Sequence, residues 1–98
     1  MGRIVLTNRV YEWTIVRSDF AWFVFSSLKQ HAKGEWGNLL PEDKARNEVA
    51  LSEGNLRLFS AYERPPLPEI WIVTEADRSL TTVLFADERD FYSLEQEV

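Results

Sequence analysis

The sequence predicts an α+β domain: N-terminal helices packed on one face of a three-stranded antiparallel β-meander, with a short N-terminal segment available as an edge strand. Two observations carry that reading. Apolar residues recur at helical spacing through residues 18–53, and β-branched and aromatic residues alternate or run together in three short segments between 56 and 85. A chain of 98 residues is the size of one domain, 1–98, whose acidic end, 86–98, is expected to be partly frayed.

Residues 4–6, Ile-Val-Leu, are β-branched enough for an edge strand. Thr7 and Asn8 follow as competent helix N-caps. Residues 10–16 support two readings. Tyr11, Trp13 and Ile15 alternate with Glu12 and Thr14 as in a strand, whereas Val10, Trp13 and Val16 fall at helical spacing after a cap. Propensity favours the strand. Ser18 and Asp19 open a clearer helix, with Ala21, Val24, Phe25, Leu28 and Ala32 at i, i+3, i+4, i+7 and i+11 as its expected buried stripe. Lys29, His31 and Lys33 fall in its last turns, where positive charge suits the macrodipole, and Gly34 is a natural stop.

Pro41 opens a helix over 41–53, with Glu42 and Asp43 in its first turn and Gly54-Asn55 at its end. Ala45, Val49 and Ser52 are its expected buried edge. Residues 56–63 alternate as a strand. Residues 64–68 carry three prolines and read as a connection, because proline cannot donate to a ladder. Residues 69–75 make the strongest strand, 76–79 a turn, and 81–85 a third strand. Phe91, Tyr92 and Leu94 are expected to dock the tail.

The formal net charge is −5, and five of the sixteen acids but one of the eleven bases lie in the last twelve residues, so the body is close to neutral. This is the wrong sign for a surface that tracks phosphates and argues against a nucleic-acid partner. Without cysteine there are no thiolate zinc sites, iron–sulfur clusters or cysteine nucleophiles, and a single histidine rules out multi-histidine sites. Neither a metal nor a cofactor is expected. The start lacks the apolar core of a secretory signal, and the longest apolar run, 20–25, is far too short to span a membrane. A cytoplasmic setting without membrane contact is the expectation.

Two polar constellations stand out. In residues 31–37 two glycines permit a tight path, and His31 and Glu35 could act as acid and base across it. The plainer reading is a helix cap followed by a turn that Trp36 anchors in the core. Residues 74–82 gather Glu75, Asp77, Arg78 and four hydroxyls, Thr81 and Thr82 among them, around one strand connection. Its carboxylates could transfer protons or hold a divalent cation, and Arg78 could hold an anion. The plainer reading is turn chemistry, with Asp77 on nearby backbone and Glu75 paired to Arg78. Asp43 and Asn47 share a helix face at i, i+4, which matters if that face turns toward residues 75–78. Thirteen aromatics, four of them Trp, exceed what so small a core readily hides, so some are expected at the surface, where a patch would suggest self-association or a protein partner; the plainer reading buries most of the rings.

Residues 31–37, Glu42, Asp43 and Asn47, residues 57–62 and residues 70–84 together resemble a family of small uncharacterised prokaryotic proteins associated with plasmids and other mobile elements. The patterns H-x-x-G-[DE]-W-G and T-E-A-D-R-S-x-T-T carry the resemblance. It implies a bacterial or phage-borne origin, favours helix over residues 10–16, and marks Trp36, Asp43, Asn47, Arg57, Thr81 and Thr82 as candidate binding residues. It implies no activity. The leading expectation is therefore a non-enzymatic protein-interaction or inhibitor-like module, with a protein partner or a homodimer. The alternative is a small hydrolase or nuclease using His31 and Glu35 with Glu75, Asp77 and Arg78.

Overall fold

The computed structural model describes residues 2–54 and 56–88. Its elements run β1 (Arg3–Leu6), α1 (Asn8–Val16), α2 (Ser18–Ala32), α3 (Pro41–Glu53), β2 (Leu58–Arg64), β3 (Leu67–Thr74) and β4 (Leu80–Phe85), followed by a 3-10 turn at Ala86–Glu88. The α+β class holds. The sheet differs from a three-stranded antiparallel one: among the described residues it has four strands in the order β1-β4-β3-β2. β2, β3 and β4 form the antiparallel meander, and β1 pairs parallel with β4 from Arg3↔Leu80 to Leu6↔Val83. The edge of β4 needs a partner for its ladder groups, and the four residues before α1 supply it.

Residues 10–16 are helical. The Thr7 hydroxyl accepts from the Val10 amide, and Val10 and Trp13 turn onto the core while Tyr11 and Ile15 remain exposed. The alternation that resembled a strand thus joins the core-facing Trp13 to Tyr11 and Ile15 on the solvent side. In α2 the buried residues are Phe20, Phe23, Val24, Ser27 and His31, the expected stripe moved one position toward the N-terminus. Phe25 and Ala32 are exposed in consequence. In α3 the buried residues are Asn47 and Ala50, whereas Ala45, Val49 and Ser52 face solvent.

The outer edge of β2 explains the orientation of α3. The Asn47 amide donates to the Phe59 carbonyl at 2.6 Å and its oxygen accepts from the Phe59 amide at 3.1 Å, as a neighbouring strand would. One residue pair further, the Trp36 carbonyl and the Asn38 amide serve Ala61. Gly37 makes this approach possible: a Cβ there would strike the Ala61 carbonyl and the Tyr62 ring. An edge protected this way cannot recruit another strand.

The main core lies between α1, α2 and the sheet, where Phe20, Phe23, Ile70, Ile72, Val83 and Phe85 are buried. A smaller cluster of Trp36, Ala50 and Leu58 joins α3 to β2. Alternation sends Trp71, Val73 and Glu75, with Thr82 and Leu84, to the other sheet face. In the 3-10 turn Glu88 accepts from Thr7 and from the Phe85 amide, and Asp87 pairs with Arg9; the rest of the tail expected to be partly frayed, 89–98, lies outside the described residues. The expected docking of Phe91, Tyr92 and Leu94 falls outside the described residues. No described helix is long and apolar enough to cross a membrane.

Candidate functional site

The C-terminal turns of α2 bring His31 over the sheet at the level where three strands carry hydroxyls on the helix-facing side. His31 Nδ1 lies 2.6 Å from Ser60 Oγ, and Nε2 lies 2.8 Å from Thr74 Oγ1, which in turn sits 2.8 Å from Thr81 Oγ1. All four residues are buried. Hydroxyls donate or accept, so either neutral tautomer is satisfied. Trp36 stands edge-on to the imidazole at 5.5 Å and donates its indole N–H to Glu48. Burial disfavours the imidazolium and pushes the His31 pKa down to about 4.

Beside this network lies an open pocket of about 320 Å³ lined by His31, Ala32, Lys33, Gly34, Trp36, Leu51, Leu58, Thr74 and Arg78. The two polar segments singled out in the sequence therefore meet: of the residues proposed for catalysis, His31 and Arg78 line the pocket, whereas Glu35, Glu75 and Asp77 do not. Arg78 spends its guanidinium on backbone carbonyls: Nη1 donates to Leu56, Glu75 and Ala76, and Nη2 donates to Ala50 in the last turn of α3. It does so from a left-handed backbone with φ of 65°. Its main work is to clasp the end of α3 to the β3–β4 turn.

Asp77 accepts from the Ser79 amide and hydroxyl, an arrangement internal to the turn that also holds its carboxyl below the usual range. The Glu75 carboxylate pairs with Arg57 at 3.0 Å on the opposite sheet face from Thr74, and Arg78 meets Glu75 at its backbone carbonyl instead. Glu35 contributes its backbone carbonyl to the Tyr62 hydroxyl at 2.6 Å and does not line the pocket. Tyr62 is itself pushed up to about 12 by burial. The set His31, Glu35, Glu75, Asp77 and Arg78 is thus dispersed over a pocket wall, a turn and two sheet faces. Among the described residues the ring partners of His31 are the Ser60 and Thr74 hydroxyls rather than a carboxylate.

Among the candidate binding residues, Trp36 lines the pocket, Thr81 sits behind Thr74, Asn47 caps the edge of β2, and Thr82 and Arg57 lie on the far face. Asp43, one turn before Asn47, does not line the pocket. The sequence reading missed Ser60, Lys33, Leu51 and Leu58. A signal for Ser60 existed: Ser60, Thr74 and Thr81 all occupy the apolar phase of neighbouring strands, and polar groups there demand a buried partner.

A second feature lies on the outer side of the helices. Trp22 is 69% exposed and Phe25 53% exposed, their rings 6.0 Å apart and edge-on. They border a shallow hollow of about 290 Å³ whose remaining walls are Ser18 and Ala21. Tyr11, Ile15 and Val16 of α1 are also exposed. Comparison of the chain with family models, with curated proteins and with solved structures finds no match.

Proposed function

We propose that this chain is a non-enzymatic protein-interaction module that pairs with a second copy through the outer face of α1 and α2. The observation that carries the reading is the Trp22–Phe25 ridge standing beside the Ser18–Ala21 hollow on one helix face. A two-fold axis midway between residues 21 and 22 of antiparallel α2 helices sets Ala21 against Trp22 and Ser18 against Phe25. Each small residue then faces a large ring, the self-complementarity that an isologous contact requires. Trp22, Phe25, Tyr11, Ile15 and Val16 together offer on the order of 500 Å² per copy, or about 1,000 Å² for the pair, the lower bound of a specific interface. A cytoplasmic setting and an association with mobile elements belong to the same proposal, the latter resting on the sequence resemblance.

Sedimentation velocity over a range of concentrations tests it. The wild type is expected to show a reversible dimer. Trp22→Glu and Ala21→Trp are expected to be monomeric with unchanged circular dichroism, the first by removing a ring and the second by filling the hollow. A wild type that stays monomeric at high micromolar concentration refutes the reading.

A further inference from the structure

We infer that the pocket between the end of α2, Trp36 and α3 binds a small organic carboxylate, with its apolar body against Trp36, Leu51 and Leu58 and its anionic end toward Lys33 and Arg78. This goes beyond the pairing surface, which lies on other faces of the molecule. The size, about 320 Å³, falls in the range of pockets that enclose small molecules.

Charge selects the ligand class. The protein carries a net −5, yet the lining of this pocket holds two cations, one histidine and no acid. The floor is neutral, because the Thr74 hydroxyl is tied to His31 and Thr81. The pocket borders the C-termini of two helices, whose carbonyls would ordinarily attract a cation. Four of those carbonyls are already engaged. Arg78 and the Gly54 amide take Ala50, and the amides of Lys33, Gly34 and Glu35 take residues 29–31. What faces a ligand is therefore an aromatic wall, two leucines and positive charge, with exposed Lys33 and Leu51 at the mouth.

The probe is phenylacetate, with phenylacetamide as its neutral analogue and phenethylamine as its cationic one, followed by ¹H–¹⁵N correlation spectra of the full chain. Phenylacetate is expected to shift the Trp36 indole N–H and the Gly34 amide saturably. Its affinity should exceed that of the amide by about tenfold, and the amine should give no saturable shift. Lys33→Glu changes an exposed side chain and is expected to weaken phenylacetate about tenfold while leaving the amide unaffected; Lys33→Gln gives a smaller loss in the same direction. Equal binding of acid and amide, preference for the amine, indifference to both Lys33 variants, or no saturable shift overturns the inference. Trp22→Glu is expected to retain phenylacetate binding, so failure of the pairing surface and failure of the pocket are distinguishable.

Discussion

One face of α2 serves two unlike neighbourhoods. Toward its start, Phe20 lies 5.4 Å from Trp13, 5.6 Å from Phe85 and 6.0 Å from Phe23, ring against ring with no polar atom required. Three turns on, the same face presents His31 to three hydroxyls. The aromatic end gains stability from area removed from water and from packing. The polar end gains little net energy from its hydrogen bonds, since each replaces one made to water, yet any partner lost there leaves buried groups unsatisfied. The first end therefore responds to the volume of a side chain, the second to its chemistry.

The largest expected effect is at the aromatic end. Phe20→Ala removes a fully buried ring that touches three others and should cost about 3–5 kcal/mol in urea unfolding. Phe20→Leu, which keeps much of the volume, should cost much less. Equal losses from the two substitutions would break the contrast.

The polar end should respond to pH instead. Burial lowers the folded-state pKa of His31 to about 4 from the ordinary 6.5, so between those values the unfolded chain binds the extra proton. The contribution is fully present above 6.5 and is lost as pH falls toward 4. At pH 4.5 the loss should be roughly 2–3 kcal/mol. Urea midpoints at pH 7.5 and 4.5 measure it. His31→Gln, which cannot take up the proton, should show a markedly smaller difference between the two pH values. An undiminished difference in that variant would assign the acid sensitivity to the carboxylates.

The same contrast explains what the sequence disclosed. The meander, the bounds of α3 and the Thr7 cap were legible because alternation, Pro41, Gly54 and a hydroxyl before an apolar run are local signals. The phase of α2 was not. By hydropathy the stripe through Ala21 and Phe25 is better than the one through Ser27 and His31, and the second prevails because Ser60 and Thr74 need a partner across the sheet. That need is set by contacts 29 and 43 residues away in sequence, invisible to a helical window. The parallel pairing of β1 with β4 is equally non-local. For the candidate site, the two polar segments were visible in the sequence, but their meeting in space was not. Asp77 on nearby backbone was anticipated as turn chemistry, whereas the role of Arg78 was not, because it answers to carbonyls of Leu56 and Ala50 more than twenty residues away in sequence.

The smallest effect expected lies at Asn47, where a side chain stands in for a strand. Its amide satisfies both polar groups of Phe59, and the side chain is buried in doing so. Asn47→Ala removes both bonds, but Phe59 is at a sheet edge where water can replace part of what is lost. The cost should therefore be about 1–2 kcal/mol, below that of an unsatisfied pair in the interior. The sharper readout is local. Hydrogen exchange at the Phe59 amide should accelerate with the substitution, whereas the Ala61 amide, held by the Trp36 carbonyl, should keep its protection. If both amides lose protection together, α3 and the Trp36 loop open as one unit. The polar end would then be a cooperative structure rather than a set of separate caps.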